Sequence, residues 1–393
     1  MTASGVKEVV HIMNDFASNT GLSSASVACR RYLWTDAFAV CNYLGLWKVT
    51  KDEKYRQLAL SLVDQVHNVL GRHRSDDKRK GWISGLSEEQ GKLHPTSGGL
   101  RIGKKMMERQ VNEPYDDDLE WDRDGQYYHY LTKWMHAMNT VTLATSDNKY
   151  NKWAAELAQG THEKFTYDSG GGRKRMYWKM SIDLSYPLVQ SMGHHDPLDG
   201  YITYLQIQRT LRKQGTEGPD LSQQISDMSS ICKGKDWVTT DPLGLGGLLC
   251  DCYRVMVMLD DNDIEGGEEL LEKLLGACNT GMKSYTEGRY GNQLQRPAQY
   301  RLAFRELGLA IGLQAIDQMQ NLLNENTGLI TCNPRTKTLL DSLRQYEPLV
   351  ETINSFWSNQ NNQRASSWTG HLDINMVMWA TSLMPDGFFG QTS

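Results

Sequence analysis

Acidic side chains set beside histidines and aromatic rings are the chemistry-bearing pattern of this chain, and they gather at a few places. Trp34-Thr35-Asp36 is the first. Asp122-Arg123-Asp124-Gly125-Gln126-Tyr127-Tyr128-His129 is the second, and Trp178-Lys179-Met180-Ser181-Ile182-Asp183 the third. His194-His195-Asp196-Pro197-Leu198-Asp199-Gly200-Tyr201 and Trp368-Thr369-Gly370-His371-Leu372-Asp373 complete the set. Carboxyl groups in such company suit acid–base work, with one held protonated as a donor and another ionised as base or nucleophile. The candidates for that role are Asp36, Asp124, Asp183, Asp196, Asp199 and Asp373. Candidates for binding and orienting a ligand are Trp34, Tyr128, His129, His136, Trp178, Lys179, His194, His195, Arg301, Trp368 and His371. The 18 Tyr and 11 Trp outnumber 7 Phe, a bias toward rings with a polar handle that line half-wet clefts.

Each candidate has a plainer reading. Asp is a good helix N-cap, and Asp241 reads as a cap alone. Asp196 reads equally as a cap or as a site residue, because two histidines precede it and Asp199 follows. Asp36 sits in apolar surroundings, where a carboxylate is costly without a partner. His129 and His136 are seven residues apart, on one face of a helix, and read as core histidines or as a line down a pocket wall. His371 and Asp373 cannot share a face, so one of the two lines any pocket there. No His-Glu-x-x-His or His-x-x-x-His occurs, and Cys250-x-Cys252 lacks a second pair, so neither metal nor cofactor is expected. Gly244-x-Gly246-Gly247 has no strand before it and no Lys after it, and reads as room for close helix packing.

Composition narrows the partners. The net charge of −5 and the lack of a concentrated basic patch speak against nucleic acid. Seven irregularly placed cysteines (29, 41, 232, 250, 252, 278, 332) read as free thiols in a reducing compartment. No secretory leader and no membrane-length apolar run are visible, so a cytoplasmic location without membrane attachment is expected. Nothing in the chain fixes an oligomeric state.

Twelve helical patterns must position these residues. Six are apolar nearly all round: Leu33–Val49, Tyr127–Ala144, Leu198–Leu211, Leu243–Leu259, Gln299–Ile316 and His371–Leu383. Six are amphipathic: Val6–Phe16, Glu53–Leu70, Lys149–Phe165, Leu221–Cys232, Gly267–Met282 and Thr336–Phe356. The two kinds alternate. Thr50-x-Asp52-x-Lys54-Tyr55, followed by Ala59, Leu62 and His67, recurs 95 residues on as Thr145-x-Asp147-x-Lys149-Tyr150, Ala154, Leu157 and His162. Asp196-Pro197-Leu198 recurs 45 residues on as Asp241-Pro242-Leu243, each opening an apolar helix with Pro in its first turn. Such alternation predicts an all-α fold of six inner helices ringed by six outer ones, as a single domain over residues 1–393. In it the N-terminal helix partners the last inner one. Parallel inner helices would bring their N-terminal ends, and the candidate residues, to one mouth. Residues 71–125 interrupt the pattern as an insertion whose glycines and prolines mark loops with a short strand pair.

This arrangement resembles the (α/α)6 six-hairpin barrels, which include glycoside hydrolases, unsaturated glucuronyl hydrolases and N-acylglucosamine 2-epimerase-like proteins. The resemblance covers the whole chain as architecture. His195-Asp196 with Gly200-Tyr201, and Ser181-Ile182-Asp183, resemble two segments of the glucuronyl hydrolases in reversed chain order, so that mechanism does not carry over. The resemblance implies a sugar or oligosaccharide ligand. Glycoside hydrolysis by paired carboxylates is the leading expectation. Epimerisation or isomerisation by histidine bases such as His195 and His371 is the second, and a non-catalytic carbohydrate-binding scaffold the third.

Overall fold

A computed structural model describes residues 3–24, 26–215, 217–260, 263–287, 293–325 and 333–390. All twelve expected helical segments are present. The chain gathers into two compact units, one of Asn14–Gly234 and one of Lys235–Ser393 together with Met1–Met13. Helix α1 (Ala3–Asn19) runs from one into the other.

The N-terminal unit contains α2 (Leu33–Thr50), α3 (Glu53–Leu70), the short α4 (Glu88–Leu93) and α5 (Asp117–Asp122), strand β1 (Gln126–Tyr127), α6 (Tyr128–Thr145) and α7 (Lys149–Phe165). Strands β2 (Thr166–Asp168), β3 (Lys174–Met176), β4 (Lys179–Met180) and β5 (Pro187–Val189) precede α8 (Asp196–Lys213) and α9 (Ser222–Cys232). Helices α2, α6 and α8 lie side by side, and α3, α7 and α9 pack against them. Leu33 through Leu46 of α2 are all buried, as expected of a helix apolar on every side. The three inner helices run parallel. Trp34 at the start of α2 meets His129 at the start of α6 (ring centroids 5.9 Å apart), and further along Cys41 bonds Thr140.

The 95-residue repeat is a helix-to-helix turn. Lys51 and Ser146 end α2 and α6 in the left-handed conformation (φ 59° and 58°). In both copies the threonine before that residue bonds the carbonyl four back at 2.7 Å: Thr50 to Leu46, and Thr145 to Val141. The aspartate after it accepts the amide two residues on, from Lys54 at 3.0 Å and Lys149 at 3.1 Å. The matched Ala59, Leu62, Ala154 and Leu157 are fully buried. His67 accepts the Trp134 indole N–H at 3.1 Å, and His162 pairs with Asp227 at 3.1 Å. Repeated residues thus encode a repeated corner and its buried polar anchor.

The insertion carries no strand pair of its own. It has α4, α5 and two isolated bridges, Arg72 with Trp82 and Met106 with Arg123. The strands lie after it. β1, β4 and β5 form a three-stranded sheet, and β2 and β3 a hairpin turning at Gly170-Gly171-Gly172. Buried charge holds the insertion in place. Arg74 and Arg101 both reach Asp124, at 3.3 and 2.9 Å, while Lys179, fully buried, pairs with Glu120 at 2.8 Å.

The C-terminal unit contains α10 (Pro242–Asp260), α11 (Gly267–Glu287), α12 (Ala303–Glu325), α13 (Pro334–Leu343), α14 (Pro348–Ser358), α15 (Gln360–Gln363), α16 (Ser366–Thr369), α17 (Leu372–Leu383) and α18 (Asp386–Phe389). Here α12 packs against both α10 and α17, with α11 on α10 and α14 on α12 and α17. A Cβ at Gly246 would sit 2.0 Å from the Gly308 carbonyl, and one at Gly312 2.4 Å from that of Gly246. The glycine cluster therefore lets two helices touch backbone to backbone, as its sequence context implied. α12 begins at Ala303 rather than Gln299, because Ala298–Tyr300 winds as a separate tight turn. The amphipathic stretch 336–356 is two helices, since Pro348 lacks an amide proton and clashes with a continuing turn. Contrary to the expectation of no membrane-length apolar run, Pro242–Leu259 is long and apolar enough to cross a bilayer by composition, but 78% of it is buried as a core helix.

Candidate functional site

The N-terminal ends of α2, α6 and α8 converge in the N-terminal unit. The residues preceding them, Tyr32, Tyr127 and His195, make no side-chain capping bond, so side chains here are turned to other partners. Aromatic rings fill the convergence. His129 contacts Trp34, Tyr127 and Tyr130 with ring centroids 5.9, 5.3 and 4.8 Å away. Tyr32 and Tyr130 join hydroxyls at 2.7 Å, and Trp178 packs against Trp121. The Trp178 indole N–H donates to His129 Nδ1 at 3.2 Å. A ring nitrogen that accepts is unprotonated, so the proton of this neutral imidazole sits on Nε2. Burial pushes the His129 pKa down to about 3, although 27% of the side chain remains accessible. The imidazole is thus packed among rings on most sides and open to solvent on part of its edge.

Asp196, the first residue of α8, is 7% exposed. Its Oδ2 is buried and has no hydrogen-bond partner among the described residues, and His129 Nδ1 is 3.9 Å away. A Cβ on Gly193 would fall 2.4 Å from the carboxyl, so that glycine makes room for it. Burial first, then the charge of Asp199 one turn on, raises Asp196 to about 7, with Lys133 pulling the other way. Asp199 itself accepts from Thr132 Oγ1 at 2.5 Å and Lys133 Nζ at 2.8 Å. Two carboxyls in adjacent turns therefore have opposite environments, one paired with a cation and one left bare.

The twin tripeptide sharpens the contrast. In Asp241-Pro242-Leu243 the aspartate caps its helix, accepting from Gly244 N at 3.0 Å, and also pairs with Arg305 at 2.6 Å. In Asp196-Pro197-Leu198 the same residue caps nothing and is buried beside an imidazole.

The remaining candidates scatter. Asp36 is buried and held by Arg31 at 3.4 Å and Tyr32 N at 2.9 Å. Asp124 is fully buried between two arginines, and Lys179 is locked to Glu120 and to the Arg123 carbonyl. Asp183 pairs with Arg79 at 2.7 Å and lines a separate cavity of about 430 Å³ with Ser84, His94, Ser97 and Lys164. None of that cavity's lining belongs to the aromatic group around His129. Tyr128 is buried, its hydroxyl on Tyr204, and His136 is buried two turns further along α6. His195 is half-buried against the exposed His194. In the C-terminal unit Arg301 is buried and doubly bonded to Glu306 (2.8 and 2.6 Å), under Trp357 and the stacked Trp368. His371 is exposed against Phe304, and Asp373 is half-buried beside it in sequence.

Tyr32, Tyr130, Thr132 and Lys133 were not singled out in the sequence. The signal was present only in part: Tyr130 and Lys133 lie one and four residues after His129, on the same helix.

No family model matches the chain, and no curated protein matches its sequence. Among solved structures it is similar to a cellobiose 2-epimerase from Bacillus thermoamylovorans B4167, at 9% identity and a TM-score of 0.46 over 88% of this chain and 87% of that one.

Proposed function

We propose that the chain is a carbohydrate-active enzyme that moves a proton at a sugar carbon, as an epimerase or isomerase, with Asp196 as the proton-transferring group. The observation that carries this reading is the bare, buried Asp196 carboxyl 3.9 Å from an imidazole held neutral. A carboxyl that titrates near neutrality is populated in both forms, so it can take a proton and return it. His129, with its proton on Nε2, donates to the substrate oxygen next to the reacting carbon and stabilises the charge that develops there. Trp34, Tyr130 and Trp178 supply ring faces for a sugar, and the buried Trp34 indole N–H, without an acceptor among the described residues, adds a donor. In this reading the carbon-bound proton passes to the Asp196 carboxylate as the sugar's carbonyl becomes an enediolate, whose negative charge the His129 Nε2–H hydrogen bond stabilises. Return of a proton to the other face inverts the centre, and half-buried His195 is the nearest candidate in sequence for that second transfer.

Hydrolysis fits this unit less well. It needs two available carboxyls on opposite sides of the scissile bond. Asp36, Asp124 and Asp183 are each tied to an arginine, and Asp199 shares a helix face with Asp196.

Incubation of reducing mono- and disaccharides with the enzyme in heavy water separates the readings. Deuterium at the carbon beside the carbonyl, with no new reducing ends, is the expected result. New reducing ends without deuterium would establish hydrolysis instead, and neither change would leave a binding protein.

A further inference from the structure

We infer that Lys104 is a specificity residue that selects a sugar bearing an anionic group, a carboxylate or a phosphate; the inference rests on the site proposed around Asp196 and His129. The lysine stands at one end of that aromatic surface. Its Nζ lies 5.5 Å from the Tyr32 ring, Tyr32 packs on Tyr130 with centroids 5.5 Å apart, and Tyr130 abuts His129 at 4.8 Å. A ligand laid along these rings would have its reacting end at Asp196 and its far end at Lys104.

Lys104 is half-buried, and no carboxylate among the described residues lies within ion-pair distance of it. The buried and half-buried basic side chains of this region are committed elsewhere. Lys133 pairs with Asp199, Lys179 with Glu120, Arg31 with Asp36, and Arg74 and Arg101 with Asp124. Burial lowers the Lys104 pKa, while Asp122 and Asp124 act only from a distance to raise it. An ammonium group withdrawn from water without a counter-charge is costly, and an anionic ligand would relieve that cost.

Its position is fixed by the backbone. Leu33 N bonds the Ile102 carbonyl at 3.0 Å, tying this segment to the start of α2. Gly103 N donates to Asp124 at 2.9 Å, and Arg74 donates to the carbonyls of Lys104 and Lys105 at 2.5 and 2.7 Å. Gly103 has φ +96°, and a Cβ there would meet the Arg31 carbonyl at 2.2 Å. The buried arginine–aspartate cluster of the insertion thus presents Lys104 at a set place beside the α2 terminus.

The test is titration of the full chain, by its tryptophan fluorescence, with glucose, glucuronate and glucose 6-phosphate, for wild type, Lys104→Met and Asp196→Asn. Wild type is expected to bind one or both anionic sugars about ten-fold more tightly than glucose, the worth of one charge-assisted contact. Preference for glucuronate alone identifies a carboxylate site, and preference for the phosphate alone a phosphate site. K104M should bring the affinities together with a melting temperature no lower than that of wild type, and D196N should keep the preference. Equal affinities in wild type, or a preference that survives K104M, would overturn the inference. Failure of the catalytic reading is seen separately: an anion preference dependent on Lys104, without deuterium uptake, leaves the inference standing and removes the proposed reaction.

Discussion

At the scale of single residues, environment decides what a carboxylate can do. Asp36, Asp124, Asp183 and Asp196 look alike in sequence, yet three are neutralised by arginine and one is buried without a partner. The difference has a thermodynamic signature. Asp196 has its folded pKa raised from 3.8 to about 7. The native state therefore holds a proton that the unfolded chain has released, and stability present below the lower value is lost as pH rises through the higher one. Asp196→Asn should remove that loss. Near pH 8 the variant should be about 1–3 kcal/mol more stable than wild type while losing about a hundred-fold or more in proton exchange at carbon. Thermal melts at two pH values check this. A destabilised variant at both pH values would mean that Asp196 is a structural residue like Asp241.

At the scale of elements, the repeated Thr-x-Asp-x-Lys-Tyr segment and the glycine cluster make opposite demands on side chains. Lys51 and Ser146 occupy left-handed backbone, which a Cβ disfavours. Lys51→Gly and Ser146→Gly should each stabilise the protein by about 0.5–1 kcal/mol, read as a raised denaturant midpoint with an unchanged slope. Gly246→Ala should cost about 2 kcal/mol or more, because its methyl carbon would fall within 2.0 Å of the Gly308 carbonyl and neither helix backbone can retreat without repacking. A neutral G246A would show that the α10–α12 crossing yields to an added methyl group. These elements were legible beforehand because their information is local: periodicity marks the inner and outer helices, and a repeat marks a corner. Breaks inside a pattern were harder to read. Pro348 splits one amphipathic stretch in two, yet the apolar spacing continues across it.

At the scale of the whole molecule, the sequence disclosed twelve helices and named both Asp196 and His129, but it could not sort reactive side chains from structural ones. Lys179 and Arg301 are charges in apolar company, as a catalytic group often is. Each instead completes a buried ion pair, with Glu120 and Glu306, that anchors a loop or helix start. Glu120 lies 59 residues from Lys179, and no spacing rule announces such a pair. Conversely, the Tyr32–Tyr130 contact joins residues 98 apart, so the ring surface leading to Lys104 emerged only in three dimensions. Cys332, one of the seven thiols, lies outside the described residues, while Cys41, Cys250, Cys252 and Cys278 are buried thiols, Cys232 is half-buried and Cys29 is exposed. The decisive property remains the protonation of one carboxyl in the intact chain. Its most direct measurement is the infrared difference between wild type and D196N as pH is raised. A protonated-carboxyl band present at about pH 5 and titrating away near pH 7 is the predicted result. A difference spectrum showing only ionised carboxylate at about pH 5 would contradict it.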